Sequence, residues 1–271
     1  MHEAAFSDLG IAAHYLVLEL APPAFRKLMS RSSGLLLSGY NVTVPYKETV
    51  LKYLNKVSPE ARAIGAVNTV YRRGGKWVGT NTDMEGFLLT LAKDGKFRPA
   101  GKKAVVLGAG GAARAVVYGL SQEGVKELLI ADCVPGKAGK IVRDMQKQFP
   151  RVLYRAVAAG IPPIKDAIKE ADIITNATPL GLKEKDPRVV PEDWIPEGRA
   201  GKKFFMDLIY NPAETPFLRA ARRKGHCTLN GLGMLLYQGV RAFEYWTGRK
   251  APVVVMRQAL LQALRGKRKM K

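Results

Sequence analysis

Cysteine, histidine and acidic residues are scarce in this 271-residue chain. Its two cysteines, Cys133 and Cys227, are too few for a disulfide framework or a cysteine metal cluster. The three histidines, His2, His14 and His226, are not spaced as metal ligands, which disfavours a histidine metal site. Hydrophobic residues make up 47% of the chain and charged residues 25%. These values exclude a disordered protein and a small disulfide-stapled one.

Long apolar runs are also absent. Ala104–Leu107 and Val253–Met256 are far shorter than the roughly 20 residues that span a bilayer. The first ten residues lack a basic segment followed by an apolar one, so they do not resemble a signal peptide. We therefore expect no membrane segment and a reduced, cytoplasmic location.

Negative charge is in short supply, with 23 Asp and Glu against 44 Lys and Arg, so the net charge is +21. A basic protein can bind nucleic acid by neutralising phosphates. Here the basic residues are spread along the chain, and we find neither a helix-turn-helix signature nor a pattern of stacking aromatics. The charge equally suits a small anionic substrate, because a basic surface raises the local concentration of anions.

Strand-like and helix-like segments alternate from about Lys102 onward, which is typical of βαβ units and a doubly wound parallel sheet. The predicted strands are Ala104–Leu107, Leu128–Ile130, Val152–Val157, Ala171–Thr175 and Phe204–Leu208, and the helices between them Ala112–Leu120, Ala138–Gln148 and Ile164–Glu170. Turn formers at residues 94–101 indicate a linker before this region.

Residues 1–93 show a smaller alternation of the same kind. Predicted strands are Ala13–Leu18 and Tyr40–Val44, and Arg72–Gly75 forms the turn of a hairpin. Two helices, Met234–Trp246 and Val253–Leu264, end the chain. We therefore predict an α/β fold with two domains, with the C-terminal helices returning to the first.

A glycine-rich turn, Gly108–Ala113, lies between a predicted strand and a predicted helix. The first glycine permits a tight turn, and the second lets the backbone approach a pyrophosphate. The small Ala113 lets helix and strand pack closely, and the N–H groups at the helix start face the anion. This context favours a Rossmann-type dinucleotide site over a turn without a ligand.

Asp132 follows the second strand of this region, 24 positions after Gly108. An acid there accepts hydrogen bonds from the adenosine ribose and repels a 2′-phosphate, which favours NAD over NADP. The alternative is an aspartate that caps a turn. Lys137 and Lys140 follow and would soften the discrimination.

Polar clusters follow several strand-like segments of the first domain. Thr43, Lys47, Asn68 and Asp83 could converge on one small polar molecule, since ligands bind outside the carboxyl ends of strands. A Lys–Asp pair in a cleft can move a proton. By spacing alone, a solvated ion pair is the favoured interpretation of such a lysine and aspartate.

Seven short motifs, in the same order along nearly the whole chain, resemble those of the shikimate dehydrogenase family. They are Asn41–Lys47 (N-V-T-x-P-x-K), Gly65–Thr69 (G-A-V-N-T), Gly79–Gly86 (G-x-N-T-D-x-x-G), Gly108–Arg114 (G-A-G-G-A-x-R), Asn176–Gly181 (N-x-T-P-x-G), Asp207–Pro216 (D-x-x-Y-x-P-x-x-T-P) and Gly231–Gln238 (G-x-x-M-L-x-x-Q). The resemblance implies a substrate-binding α/β domain at residues 1–95, to which a C-terminal helix at about 235–265 returns. It implies a dinucleotide-binding Rossmann domain at residues 100–234.

The resemblance also implies a reaction, a reversible hydride transfer between a nicotinamide dinucleotide (NAD or NADP) and C3 of 3-dehydroshikimate. The pathway is the biosynthesis of chorismate and aromatic amino acids, and the enzyme would be a monomer or homodimer that needs no metal. Lys47 is implied to be the acid/base for the proton on the C3 oxygen, with Asp83 hydrogen-bonded beside it. The other residues implied to hold the substrate are Thr43, Asn68, Tyr210 and Gln238. Those expected to line the dinucleotide are Gly108, Ala109, Gly110, Gly111, Ala112, Asp132, Thr178, Leu208 and Gly231.

The chain departs from the family pattern in two places. The family's first strand and its S-x-S motif, whose serines bind the substrate carboxylate, have no counterpart here, so weak substrate binding and an unpaired sheet edge are expected if the chain is complete. The family's N-R-T, whose arginine binds a 2′-phosphate, is replaced by Asp132-Cys133-Val134. Two alternatives therefore stay open: an NAD-dependent quinate/shikimate dehydrogenase, and a binding-only protein weakened by the missing serines.

Overall fold

The computed structural model describes residues 1–31 and 36–269. Contacts between residues divide the chain into two units, one formed by Met1–Thr82 and the chain from Leu236 onward, the other by Asp83–Leu235. None of the helices in the described ranges is long and apolar enough to cross a membrane.

The regular elements of the described residues are as follows. The α-helices are α1 His2–Asp8, α2 Pro22–Ser30, α3 Pro59–Ile64, α4 Thr82–Leu89, α5 Gly111–Gln122, α6 Lys137–Gln148, α7 Pro162–Glu170, α8 Pro216–Arg223, α9 Leu232–Thr247 and α10 Val253–Lys269. The strands are β1 Gly39–Asn41, β2 Lys56–Val57, β3 Thr69–Arg73, β4 Lys76–Thr80, β5 Lys103–Leu107, β6 Glu127–Asp132, β7 Leu153–Ala158, β8 Ile173–Asn176, β9 Phe204–Asp207 and β10 Cys227–Leu229. Short 3₁₀ helices cover Thr49–Tyr53, Glu192–Trp194 and Gly198–Ala200, and a π-helical turn covers Thr90–Asp94.

The first unit contains a small mixed sheet in the order β1-β3-β4-β2. The predicted hairpin is confirmed, because β3 and β4 pair antiparallel around Gly74 and Gly75, both at positive φ. One face of the sheet packs on α2, where Phe25 and Met29 join Val70 and Trp77 in an apolar core.

One predicted strand of this unit is wrong, and a second is shorter than predicted. Ala13–Leu18 has no regular structure, because strands form only when they pair, and no described segment pairs with it. Leu16 and Val17 are 79% and 86% exposed, so the apolar pattern faces no core. The strand predicted at Tyr40–Val44 is shortened to Gly39–Asn41, because the chain turns at Thr43, whose carbonyl accepts the Tyr46 N–H.

The second unit contains a parallel sheet in the order β10-β9-β8-β5-β6-β7. Successive residues of its strands alternate between two apolar cores, as expected when both faces of a parallel sheet are covered. Val106 and Ile130 face the core built with α5 and α6, while Val105 and Leu129 face the core built with α7 and α8. The predicted α/β class with a doubly wound parallel sheet is confirmed.

Residues 83–95 belong to the second unit by their contacts. Phe87 and Leu91 lie in the same core as Val106 and Leu120, which explains that grouping. The predicted linker at residues 94–101 therefore lies inside this unit. The assignment of substrate binding to residues 1–95, with the helix at about 235–265, and of dinucleotide binding to residues 100–234 stays a prediction.

Candidate active site

The glycine turn lies at the carboxyl edge of the six-stranded sheet, between β5 and α5. Gly108 has φ +107°, a region that favours glycine. A Cβ there would come within 3.0 Å of the Ala177 carbonyl. Both the backbone conformation and the close approach of the β8 loop thus require glycine at this position.

Gly110 differs from Gly108, because neither its backbone nor its packing requires glycine. Its φ is −83°, and a Cβ built there would meet no atom within 4 Å. It is the N-cap of α5, and no described side chain caps the helix. The space beside Gly110, at the N-terminus of α5, is therefore open, which fits a phosphate group held at a helix N-terminus.

Asp132 contacts the glycine turn directly. Its Oδ2 accepts the Ala109 N–H at 2.6 Å, and its Oδ1 accepts the Val134 N–H at 2.7 Å. The carboxylate thus ties the turn to the loop after β6. Because each carboxylate oxygen can accept more than one hydrogen bond, these contacts leave capacity for a ribose hydroxyl.

The loops after β8 and β9 are joined by a buried polar network. Asn176 and Asp207 are register partners at the ends of the two strands. The Asn176 Nδ2 donates to Asp207 at 3.0 Å, and the Asn176 Oδ1 accepts both the N–H and the hydroxyl of Thr178, at 2.9 and 2.7 Å. Burial raises the pKa of the Asp207 carboxyl, and its hydrogen bonds to Thr215, Ile209 and Asn176 oppose that rise.

Leu208 and Gly231 lie against each other beside this network. A Cβ at Gly231 would come within 1.9 Å of the Leu208 carbonyl oxygen, so only glycine allows this approach. Tyr210, two residues further along the loop, is 37% exposed. The nine residues predicted to line the dinucleotide thus lie at or after the carboxyl ends of β5, β6, β8 and β9 or, in the case of Gly231, pack against the loop after β9.

In the first unit, the loop after β1 is held beside Asn68. The Val42 N–H bonds to the Asn68 carbonyl and the Val67 N–H to the Lys47 carbonyl, both at 2.8 Å. Thr43 is exposed and Lys47 half-buried. The structure therefore brings the predicted residues Thr43, Lys47 and Asn68 onto adjacent segments.

Asn68 has a fixed orientation. Its Oδ1 accepts the Thr82 N–H at 2.8 Å, which prevents the amide from reversing without loss. Its Nδ2 then faces the Thr82 hydroxyl at 3.0 Å and the Gln238 Oε1 at 3.4 Å. The structure therefore brings Gln238 of α9 to Asn68. Asp83 lies in the first turn of α4 and is 5% exposed, and its pairing with Lys47 stays a prediction.

Sequence reasoning gave no role to Thr69, Thr82, Asn176, Asp207 or Thr215. All five are buried and hydrogen-bond to another polar side chain of the two networks. Their signal in the sequence was a polar residue within a motif already singled out, in or next to a predicted strand except for Thr215, which directly precedes a helix. In the described ranges, no three His, Cys, Asp or Glu side chains cluster closely enough to hold a metal ion.

Comparison with known families matches both ends of the chain. The family model described as the shikimate dehydrogenase substrate binding domain matches residues 1–70. The model described as the shikimate 5'-dehydrogenase C-terminal domain matches residues 231–261.

Curated relatives cover nearly the whole chain. A shikimate dehydrogenase (NADP(+)) from Methanopyrus kandleri is 40% identical over 267 residues, 98% of this chain and 90% of its own. One from Symbiobacterium thermophilum is 43% identical over 266 residues, with the same coverage of 98% and 90%. Among solved structures, shikimate 5-dehydrogenase from Listeria monocytogenes in complex with shikimate and NAD has a TM-score of 0.85 at 34% identity, covering 96% of this chain and 90% of that one.

Proposed function

The chain belongs to the shikimate dehydrogenase family, and from that premise we propose that it catalyses the reversible reduction of 3-dehydroshikimate to shikimate with a nicotinamide dinucleotide. The observation that carries this proposal is identity of 40% or more to shikimate dehydrogenases over 98% of the chain. Because the curated relatives bear that name, neither the quinate alternative nor the binding-only alternative is favoured. As part of the same proposal, the enzyme acts in the cytoplasm, in the biosynthesis of chorismate. It does so as a monomer or homodimer.

The dinucleotide would be held by the glycine turn and the neighbouring loops. When bound, it supplies or takes up the hydride. The turn Gly108–Ala112 would hold the pyrophosphate through its N–H groups beyond Ala109, because those of Gly108 and Ala109 donate to Ala131 and Asp132. The open space at Gly110 supports this role. Thr178, Leu208 and Gly231 would line the remaining part of the dinucleotide.

Lys47 would donate the proton of the reaction in one direction and accept it in the other. Reduction of a ketone places negative charge on its oxygen, and a positioned ammonium group can donate the proton that neutralises it. In the reverse direction the amine takes the proton back. Asp83 would be hydrogen-bonded beside Lys47, and its burial limits the number of orientations that its carboxylate adopts.

The substrate's hydroxyls and carboxylate would be held by polar side chains. Thr43, Asn68 and Gln238 belong to the first unit, where the fixed amide of Asn68 faces Gln238. Tyr210 would add a phenolic hydroxyl from the loop after β9. Fixed donors and acceptors of this kind orient a polyhydroxylated ring without reorganisation in the reaction.

An absorbance assay of nicotinamide reduction with shikimate tests the activity. Replacing Lys47 by methionine removes the proton donor and keeps a chain of similar length, so kcat should fall by about 10²- to 10⁴-fold. The matched control is Lys52→Met, at an exposed lysine of the following 3₁₀ helix, which should leave kcat unchanged. Wild-type protein without shikimate oxidation, or a Lys47→Met variant as active as the control, would contradict the proposal.

We further propose that NAD is preferred over NADP. A 2′-phosphate would bring negative charge beside the Asp132 carboxylate, and neither Cys133 nor Val134 offers a cation to bind it. We expect kcat/KM for NAD to exceed that for NADP by at least about tenfold, a difference of about 1.4 kcal/mol. The substitution Asp132→Asn should bring the two kcat/KM values closer together. A clear preference for NADP would mean that Asp132 serves only the glycine turn.

A further inference from the structure

Asp207 is a fully buried carboxylate to which the proposed chemistry assigns no role. It ends β9, has no exposed surface, and accepts three hydrogen bonds. Oδ1 accepts from Asn176 Nδ2 and the Ile209 N–H, both at 3.0 Å, and Oδ2 accepts from the Thr215 hydroxyl at 2.6 Å. A buried charge is costly unless it is hydrogen-bonded in this way, so these three contacts offset the cost of burying the carboxylate.

The contact with Asn176 decides which way that amide points. With its Nδ2 directed at the carboxylate, Asn176 must direct its Oδ1 toward Thr178, where it accepts the N–H and the hydroxyl. The same Nδ2 also donates to the Leu180 carbonyl at 3.2 Å. A group at position 207 that donated instead of accepting would favour the reversed amide and break both contacts to Thr178.

The other contacts of Asp207 hold the loop after β9. Accepting the Ile209 N–H fixes the backbone between Leu208 and Tyr210. Thr215, which donates to Asp207, is also the N-cap of α8 and accepts the Leu218 N–H at 3.3 Å. The carboxylate therefore anchors one loop by its backbone and the neighbouring loop through Asn176.

We propose that Asp207 is a positioning residue, whose carboxylate places Thr178 and Leu208 for the dinucleotide by orienting Asn176 and the Ile209 backbone. This inference rests on the proposed function for the identity of the ligand. It does not require that the oxidised substrate be shikimate.

The first test uses the protein without ligand. Asp207→Leu keeps a similar size and removes both acceptor oxygens, whereas asparagine could keep its oxygen on Asn176 and Ile209 and donate to the Thr215 hydroxyl. Hydrogen exchange of the Thr178 and Ile209 amides should then accelerate by at least about tenfold, because the Ile209 N–H loses its acceptor and the Asn176 amide that accepts the Thr178 N–H is no longer oriented by the carboxylate.

The matched control is Ser121→Ala. Ser121 is buried in the same unit, accepts from Tyr154 at 2.6 Å and donates to the Val117 carbonyl at 2.7 Å. It lies ten residues after the start of α5, roughly 15 Å along the helix from the glycine turn. This variant should lose thermal stability without faster exchange at Thr178 or Ile209.

The second test is dinucleotide affinity, measured by fluorescence titration with NADH and with NADPH. Asp207→Leu should raise Kd for the preferred dinucleotide by at least about tenfold, whereas Ser121→Ala should leave it within about twofold. Unchanged affinity and unchanged exchange in Asp207→Leu would overturn the inference and leave the carboxylate a purely structural role.

A second pair of variants covers the case in which Asp207→Leu does not fold. Thr215→Val removes the hydroxyl that donates to Asp207, and Thr215→Ser keeps it. Weaker dinucleotide binding in the valine variant alone supports the inference, and equal binding in both overturns it.

If wild-type protein binds the dinucleotide but does not oxidise shikimate, the proposed function fails while the positioning role is still judged by affinity and exchange. A wild type that binds neither dinucleotide overturns both.

Discussion

His2 is a single residue whose charge state depends on folding. Its imidazole is 5% exposed and packs against the rings of Tyr15 and Trp246, with ring centroids 4.6 and 5.1 Å away. Its Nδ1 has no hydrogen-bond partner among the described residues. Burial, helped by the positive chain terminus, lowers the pKa of His2 from 6.5 to about 4.

This lowered pKa predicts a loss of stability in acid. In the unfolded chain His2 takes up a proton near its ordinary pKa, so the free energy of unfolding falls as pH drops from about 6.5 towards about 4. At about 1.4 kcal/mol per pKa unit, the full loss is about 3 kcal/mol. Chemical denaturation at several pH values measures it.

The control for this prediction compares two histidines. His2→Phe keeps an aromatic ring in the same place and should flatten the acid limb of the stability profile. His14→Gln, at an exposed histidine, should leave the profile as in the wild type. Identical profiles for wild type and His2→Phe would show that other groups cause the acid loss.

For single residues, the sequence predicts the place of a residue in a strand or helix better than it predicts the residue's hydrogen-bond partners. The place of Asp132 at the end of β6 follows from the spacing of strand and glycine turn, and the structure confirms that position. That its two oxygens bind the N–H groups of Ala109 and Val134 does not follow, because backbone contacts across a loop leave no residue-type signal. The network around Asp207 was missed for another reason: Asn176 and Asp207 lie far apart in sequence, and only the pairing of β8 with β9 brings them together.

Gly110 and Gly231 each precede a helix, but packing requires a glycine only at position 231. An alanine Cβ at Gly110 would meet nothing within 4 Å, while one at Gly231 would lie 1.9 Å from the Leu208 oxygen. Gly110→Ala should therefore keep the melting temperature within a few degrees, since alanine at an N-cap costs at most about 1 kcal/mol. It should raise KM for the dinucleotide by at least about tenfold, because the methyl fills the space for the pyrophosphate.

Gly231→Ala provides the contrast for that experiment. Its Cβ collides with backbone, so this variant should lose stability markedly and bind the dinucleotide poorly as a consequence. Thermal melting and dinucleotide titration of both variants separate the two effects. Normal dinucleotide binding by Gly110→Ala would remove the support that the open space gives to the phosphate site.

Elements were predictable where both faces of a strand are buried. The strands around Val105 and Leu129 are continuous apolar runs between turn signals, and all five predicted strands of that region are present. Ala13–Leu18 has an equally apolar composition but no strand beside it in the described chain. Amino-acid composition shows only that a segment could form a strand. Whether it does depends on a second strand beside it, which comes from a segment distant in sequence.

Across the whole molecule, basic residues far outnumber acidic ones, and several carboxylates each form ion pairs with two basic side chains. Glu192 lies 2.6 Å from both Arg188 and Arg223, and these partners lower the pKa of its carboxyl. The same double pairing holds for Glu127 with Lys103 and Arg155, and for Glu214 with Arg219 and Arg222. With a net charge of +21, positive potential remains after such pairing.

This excess charge predicts opposite effects of salt on binding and on stability. Shikimate and the dinucleotide are anions, so screening of a positive surface should raise both KM values several-fold between about 20 mM and about 500 mM salt, with kcat little changed. The same screening weakens repulsion between like charges, so the melting temperature should rise over that range. Chloride and acetate salts at equal ionic strength distinguish screening from binding of a particular anion. Salt-independent KM values would show that the surface charge does not act on the substrates, and that only local contacts hold them.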